Sequence, residues 1–446
     1  MAFLLTPPSL ERLPKIALDA ADFITLNSPL EFRQTLLKAI AQAEQRIYIA
    51  ALYLENDEAG QEVLAALYQA KTARPQLDIR ILVDWHRAQR GRIGEASQSC
   101  NARWYQAQRQ LHNVDLPIYG IPVQTRELFG VLHLKGFVVD NSVLYSGASL
   151  NNVYLHKQER YRLDRYHLIH NARLAESMAS FIARYFCNDP AVFRLDQPVP
   201  TTRSIRHEIR QFRNRLCRAK YTLPGIHASQ DELSIMPLAG LGKNNPLNHL
   251  IIQLLSKTRQ KLIICTPYFN FPLAITRAIN HALRNGVEIE IIIGDKTAND
   301  FYIPESEPFK LIGVLPYLYE MNLRRFIKKH QKQITQGQLH IRLWQQQEHT
   351  YHLKGIWSDD QYILLTGNNL NPRAFRLDLE NALLIHDPKA ELKEQSQQEQ
   401  QRICQDTRLI EHYRELESPR HYPVKIRKLL TRLSRVRIDR MLNLML

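Results

Sequence analysis

One arrangement of residues occurs twice in this chain, and that repeat limits its fold more than any other feature. Ala43–Tyr53 resembles Lys257–Tyr268; each is an apolar strand-like run that follows a helix-like stretch. Leu77–Asp84 resembles Val287–Asp295, a β-branched run that ends in an acid both times. Val114–Tyr119 parallels Gln338–Trp344, and Val131–Asp140 parallels Tyr351–Asp359. Apolar alternation and β-branched residues mark these segments as strands. Helix, strand, helix, strand in each half predicts an α/β domain with a mixed sheet. Two such domains in one chain predict a pseudo-twofold pseudo-dimer with a site at their junction.

The 446 residues exceed what one hydrophobic core normally serves and accommodate two domains. The repeat sets their limits at residues 1–200 and 231–390. Between them, residues 201–230 hold a basic stretch in which Ile205, Ile209, Phe212 and Leu216 share one helical face and arginines take the others. Residues 391–446 form a C-terminal helical extension.

Hydrophobic residues make up 44% and charged residues 23%, which excludes wholesale disorder. The net charge of +15 calls for an anionic partner: nucleic acid, a phospholipid surface or a phosphorylated substrate. Five widely spaced cysteines without a C-x-x-C fit neither a disulfide framework nor a thiolate metal site, and they favour a reducing cytosol. No signal peptide is expected at the start, and no apolar run of about 18 residues reads as a membrane span. Contact with a membrane is therefore expected from the cytosolic side.

The chemistry lies in the last repeated element. His133, Lys135 and Asp140 have the spacing H-x-K-x4-D, and His352, Lys354 and Asp359 repeat it. On a strand, residues two apart share a face, so each His projects with its Lys. An imidazole beside a fixed ammonium suits attack on a phosphodiester: nitrogen attacks while the cation stabilises phosphoryl charge. Two copies supply two histidines, and a double displacement needs two. One such match alone is an ordinary polar strand; two copies in equivalent places of a repeat are a site. Ser146–Asn152 and Thr366–Pro372 follow the motifs. They either offer donors to phosphate or form turns and helix caps. Asp164 and Glu380 occupy equivalent places further on. They either hold each imidazole in one tautomer or form surface ion pairs with nearby arginines.

The paired motif is identified as the signature of the phospholipase D superfamily. Val83–Arg92, Ser142–Asn151, Gly294–Pro304 and Thr366–Arg373 go further: they resemble the bacterial phosphatidylserine synthases of that superfamily, over nearly the whole chain. The resemblance implies an α/β fold of two tandem phospholipase-D-like α-β-α sandwich domains, with the active site at their interface. It implies that CDP-diacylglycerol binds first, that one histidine attacks its lipid-side phosphate and releases CMP, and that the hydroxyl of L-serine takes the phosphatidyl group. It implies no cofactor and no metal. His133 is expected as nucleophile and His352 as general acid–base, and the motif aspartates, Asp140 and Asp359, are given an architectural part. The superfamily continuation is G-S-x-N. Asn369 supplies that Asn in the second copy, but Thr366 and Gly367 stand in the Gly and Ser places, and Ser149 replaces the Asn in the first. Either the Ser149 hydroxyl substitutes for it or Asn151 reaches in. Ser149, Asn151, Asn369 and Asn371 are thus the phosphate-binding candidates.

Arg87, Arg90 and Arg92 follow a strand end, where α/β folds hold ligands. They meet either the diphosphate of CDP-diacylglycerol and lipid headgroups or only solvent. Asp295–Tyr302 occupies the matching loop. Gly240–Lys243 lacks the spacing of a phosphate loop, and Asn245-Pro246 after it reads as a helix cap. Residues 423–446 form a basic amphipathic helix, with Ile426, Leu429, Leu430, Leu433, Val436 and Met441 near one face. Such a helix either lies on an anionic bilayer or docks on the protein body. Rival readings are another superfamily member, such as a cardiolipin synthase or a phospholipase, and a non-catalytic nucleic-acid-binding protein. Two intact His/Lys pairs count against the latter. The expected partners are CDP-diacylglycerol, L-serine and an anionic membrane surface on the inner face of the bacterial cytoplasmic membrane; the sequence carries no signal of oligomeric state.

Overall fold

The computed structural model describes residues 10–91 and 100–435. They form two compact units. The first runs to His249 and also takes in Leu365–Asn368 and Arg376–Glu391; the second comprises Leu250–Leu364, Asn369–Phe375 and the chain from Leu392.

The first unit is built on an eight-stranded mixed sheet. Its strands run in the order Phe193–Arg194, Ile118–Ile121, Asp78–Asp84, Arg46–Ala50, Phe137–Val139, Ser142–Ser146, Tyr166–His170, Phe23–Leu26. Arg46–Ala50, Asp78–Asp84 and Ile118–Ile121 are parallel. Parallel strands need a crossover, and the helix Glu58–Ala73 supplies the first one. Asp57 caps that helix by accepting from the Gly60 N–H, and Val63, Leu64, Leu67 and Tyr68 are its buried face. The helix Pro29–Gln42 starts at a Ser28 cap with proline in the first turn, and Phe32, Leu36 and Ile40 at four-residue spacing enter the core.

The same unit carries a second set of antiparallel strands, Ile16–Ala17, Ser234–Gly240 and Leu379–His386. Leu379–His386 also pairs in parallel with the short strand Leu132–His133. All eight residues of Leu379–His386 are buried, although Glu380 and Asn381 are polar. The basic segment after residue 200 forms the helix Arg206–Leu216, which buries Ile209, Phe212 and Leu216 and points Arg213 at the Leu377 carbonyl.

The second unit repeats the plan. Lys261–Thr266, Glu288–Gly294 and Leu339–Trp344 are parallel; Gly355–Ser358 and Thr407–Leu409 flank them antiparallel. The helix Leu273–Arg284 is the crossover, with Ile275, Ala278, Ile279, Ala282 and Leu283 inward. The C-terminal helix Val424–Arg435 docks on this unit: Ile426 and Leu430 share a core with Val314, Tyr317, Leu318 and Tyr422, and Leu429 packs against it. Of the two readings of this segment, docking on the body holds for its described apolar face. Lys425, Arg427, Lys428 and Arg432 remain exposed. Val436 and Met441 lie outside the described residues, as does the side chain of Leu433.

Candidate active site

The backbone places His133 beside a carboxylate from the far half of the sequence. In the parallel pairing of Leu132–His133 with Leu379–His386, His133 stands opposite Glu380. Its Nδ1 lies 2.9 Å from each oxygen of Glu380. His133 is 7% exposed and Glu380 1%, so the contact is shielded from water. A carboxylate at Nδ1 holds the proton there and makes Nε2 the nitrogen that carries the lone pair.

Lys135 is buried to 2% and its main chain is clamped by one side chain. The Lys135 N–H donates to Asn381 Oδ1 at 2.8 Å, and Asn381 Nδ2 donates back to the Lys135 carbonyl at 2.8 Å. Asn381 is itself held: Nδ2 also donates to the Tyr221 hydroxyl at 3.2 Å, and its carbonyl accepts from Tyr145 at 3.2 Å and Thr366 at 3.1 Å. The ammonium of Lys135 donates to Ser149 Oγ and the Ala148 carbonyl, both at 3.3 Å. A second anchor acts one residue before His133: buried Asp84 accepts from the Leu132 N–H at 2.9 Å and from the His86 and Arg87 N–H groups. Burial pushes the Asp84 carboxyl up to about 6 against the pull of those N–H donors.

The motif aspartates do different work from the His and Lys. Asp140 takes positive φ in the turn after Phe137–Val139, and its carboxylate accepts from the Glu44, Gln45 and Arg46 N–H groups at 2.8–3.0 Å. Asp359 repeats this with Arg259, Gln260 and Lys261 at 2.7–3.0 Å. Each ties a hairpin to the start of its neighbouring strand. Grouped with the catalytic candidates by spacing, both are turn residues whose oxygens are engaged with main chain.

In the second unit, the Lys354 ammonium donates to His352 Nδ1, and both side chains are buried. The His352 and Tyr268 rings meet in an edge-to-face arrangement at a centroid distance of 6.3 Å. Tyr268 is fixed by stacking on Tyr319 and by its hydroxyl bond to Asp300 at 2.9 Å.

A family model described as "Cardiolipin synthase, PLD-like domain" matches residues 36–181 and 251–404. The CDP-diacylglycerol–serine O-phosphatidyltransferase of Escherichia coli is 54% identical over 97% of this chain and 96% of its own length. That of Haemophilus influenzae is 50% identical over 98% of both. The chain belongs to the phosphatidylserine synthase family, within the phospholipase-D-like proteins. A crystal structure of phosphatidylserine synthase from Haemophilus influenzae matches it with a TM-score of 0.95, at 49% identity and over 98% of each chain.

Where this chain departs from the superfamily continuation, its own contacts show what the residues touch. Ser149, in place of the Asn, is 1% exposed and touches the Lys135 ammonium. Asn151 instead caps a turn, its Oδ1 accepting from the Tyr154 N–H at 3.0 Å, and Asn371 caps Pro372–Arg376 by accepting from the Ala374 N–H at 2.9 Å. Both therefore follow the cap reading. Asn369 Oδ1 is buried with no hydrogen-bond partner among the described residues. Gly147 and Gly367 occupy equivalent places, and neither tolerates a side chain. A Cβ at Gly147 would lie 2.6 Å from an Asp164 oxygen, and one at Gly367 would lie 2.7 Å from Lys135 Cγ. Asp164 and Glu380 are both buried, so the reading of these carboxylates as surface ion pairs falls.

The basic loop of this phosphatidylserine synthase-family chain is largely committed to the protein itself. Arg90 makes a two-pronged pair with Glu127 at 2.6 and 2.8 Å, which occupies the fork a phosphate would need. Arg87 lies 4.9 Å over the Tyr53 ring and 3.7 Å from Glu55. Arg92 lies outside the described residues. In the matching loop, Lys296 is paired with Glu320 and Glu417. At Asn245 the cap reading holds: its Oδ1 accepts from the Asn248 N–H at 2.9 Å. Asn381, Asp84 and Tyr268 are the residues that sequence reasoning passed over. The signal for Asn381 was a second polar residue, beside Glu380, in a strand that is apolar from there to its final His386.

Proposed function

We propose that this chain transfers the phosphatidyl group of CDP-diacylglycerol to L-serine, giving phosphatidylserine and CMP, by double displacement through His133. The chemistry rests on the buried contact of His133 Nδ1 with Glu380, which makes Nε2 the nucleophilic nitrogen. The two substrates are carried over from the relatives of 54% and 50% identity.

In the first half-reaction, His133 Nε2 attacks the lipid-side phosphorus. A P–N bond forms, the P–O bond to CMP breaks, and CMP leaves with the electron pair. CMP departs as a phosphate and needs little protonation. The ring now carries positive charge, which Glu380 balances through the Nδ1 proton. In the second half-reaction the serine hydroxyl attacks the same phosphorus. It is a poor nucleophile until a base takes its proton, and His352 is that base once Lys354 turns from its Nδ1 to the phosphoryl oxygens and releases the lone pair. The O–P bond forms, the N–P bond breaks, and the pair returns to His133. Lys135 and Lys354 stabilise charge on the phosphoryl oxygens; one such group typically contributes about 10²–10³ in rate.

The substrate lipid resides in a bilayer. Among the described residues no helix is long and apolar enough to cross a membrane. We place the chain at the inner face of the cytoplasmic membrane, attracted to anionic lipid by its net charge of +15.

The test is a product assay on detergent-dispersed CDP-diacylglycerol with and without L-serine, following CMP and lipid. Phosphatidylserine formed only with serine, and abolished in His133→Ala, is the expected result. CMP release with no serine product, but with product from glycerol or a phosphatidylglycerol acceptor, would overturn the acceptor and keep the superfamily chemistry.

A further inference from the structure

A cavity of about 360 Å³ opens in the second unit between the helix Leu315–Lys329 and the C-terminal helix Val424–Arg435. Its volume falls in the range of small-molecule sites, roughly 300–1,000 Å³. Four cations line it: Arg324, Arg325 and Lys328 from the first helix and Arg427 from the second. No carboxylate does. Arg324 donates to the carbonyls of Tyr413 and Leu416 and lies 4.9 Å over the Tyr413 ring. Arg427 donates to the Arg420 carbonyl at 2.9 Å. These carbonyls orient the guanidinium groups without neutralising them.

Arg90, Arg194 and Lys296 each face at least one carboxylate within 3.2 Å. Among the described residues, none of the four cavity cations has an ion pair. Arg324 and Lys328, four apart, and Arg325 and Lys328, three apart, share a helix face, where like charges repel. Arg427 adds a fourth positive charge from another element. An arrangement of this kind is stabilised by an anion. Forked guanidinium groups favour phosphate or carboxylate oxygens, and a cluster of this charge favours the more highly charged phosphate. Met321 and the Tyr413 ring give the cavity apolar wall, which suits a phosphate carrying an organic group.

We propose that this cavity binds a phosphate-bearing anion. No motif residue lines it, so the site is additional to the transferase residues. The same chemistry is offered by the headgroup of an anionic phospholipid and by a soluble phosphate ester such as CMP. Because Arg427 belongs to the C-terminal helix, the bound anion would also tie that helix to the unit.

The test uses the full chain and two double variants of equal charge. Arg325→Gln with Lys328→Gln removes two exposed cavity cations that have no ion pair among the described residues; Lys328 Nζ lies 5.7 Å over the Tyr413 ring. Lys425→Gln with Arg432→Gln removes two exposed cations that do not line the cavity. Binding is measured to vesicles of phosphatidylglycerol in phosphatidylcholine, to inorganic phosphate and to CMP. The expected result is a loss of affinity on the order of tenfold or more in the cavity variant for at least one of these probes, with a smaller loss in the control. Loss confined to vesicles identifies a lipid headgroup; loss for phosphate or CMP identifies a soluble ligand. Equal losses in both variants, or no loss in either, would overturn the site in favour of diffuse surface charge. Serine transfer on detergent-dispersed substrate should be unchanged in the cavity variant. Its loss there would place these residues in the transferase site and also overturn the proposal.

Discussion

His133 and Glu380 are 247 residues apart in the chain and directly opposite one another in a parallel strand pairing, with Nδ1 2.9 Å from both carboxylate oxygens. The first motif is therefore completed by an acid that belongs, by sequence, to the second repeat. The carboxylate fixes which nitrogen attacks and balances the charge that appears when it does. Glu380→Gln keeps the shape but removes that charge. We expect kcat to fall by roughly 10²–10⁴-fold with little change in KM for CDP-diacylglycerol. A KM effect with kcat preserved would show Glu380 to be a substrate-binding group instead.

His352→Ala separates the half-reactions. CMP is a good leaving group and serine a poor nucleophile, so the variant should retain part of a single-turnover burst of CMP and lose most phosphatidylserine formation. Rapid-quench measurement of both products checks this. Equal loss of both steps would contradict the assignment of His352 to the serine step.

Asn381 holds the main chain of Lys135 by two bonds of 2.8 Å in a buried setting. Asn381→Leu leaves a buried N–H and a buried carbonyl without partners. A stability loss of about 2–4 kcal/mol is expected in chemical denaturation. In the fraction that remains folded, kcat should fall more than KM rises, because Lys135 acts on charge that develops in the transition state. Unaltered kcat per folded molecule would reduce Asn381 to a purely structural role.

Asp140 and Asp359 each accept three main-chain N–H groups in a hairpin turn. Asp140→Ala should cost on the order of 1–3 kcal/mol of stability. Activity per folded molecule, measured well below the melting temperature, should stay within a few-fold of the parent, unlike that of His133→Ala.

His386 gives stability a pH dependence. Burial first, and then the Lys15 ammonium 2.9 Å from its Nδ1, push its pKa down from 6.5 to about 4. The unfolded chain takes up this proton as pH falls through 6.5, while the folded chain resists until about 4. The stabilising contribution is complete above pH 6.5 and is lost between 6.5 and 4, with a slope of at most about 1.4 kcal/mol per pH unit. Unfolding free energy measured across this window should fall less steeply in His386→Gln. An unchanged slope would contradict the account.

Much of this was legible from residue order because it is local. The H-x-K pairs, the β-branched runs and the Asn245-Pro246 helix cap depend on neighbours a few positions away, but the expected strand under each pair is broken: of His133, Lys135, His352 and Lys354 only His133 lies on a strand. What the sequence left open depends on pairing across the chain. Asp164 and Glu380 were matched as equivalent carboxylates, but only strand register shows which imidazole Glu380 serves. Arg90 stood open between a phosphate ligand and a solvated side chain; Glu127, from another segment, takes its fork. The C-terminal helix has a face that suits a bilayer and a protein core equally; Val314, Tyr317 and Leu318 decide for the core over its described part.

The central claim is a phosphatidyl group carried on His133. It is tested most directly by mixing the protein with CDP-diacylglycerol without serine, quenching in alkali, where a P–N bond survives, and mapping the adduct by mass spectrometry. The account predicts a phosphatidyl adduct on the peptide containing His133, absent in His133→Ala and discharged as phosphatidylserine when serine is added before the quench. An adduct on the His352 peptide, or a stoichiometric burst of CMP with no adduct on either histidine, would contradict it.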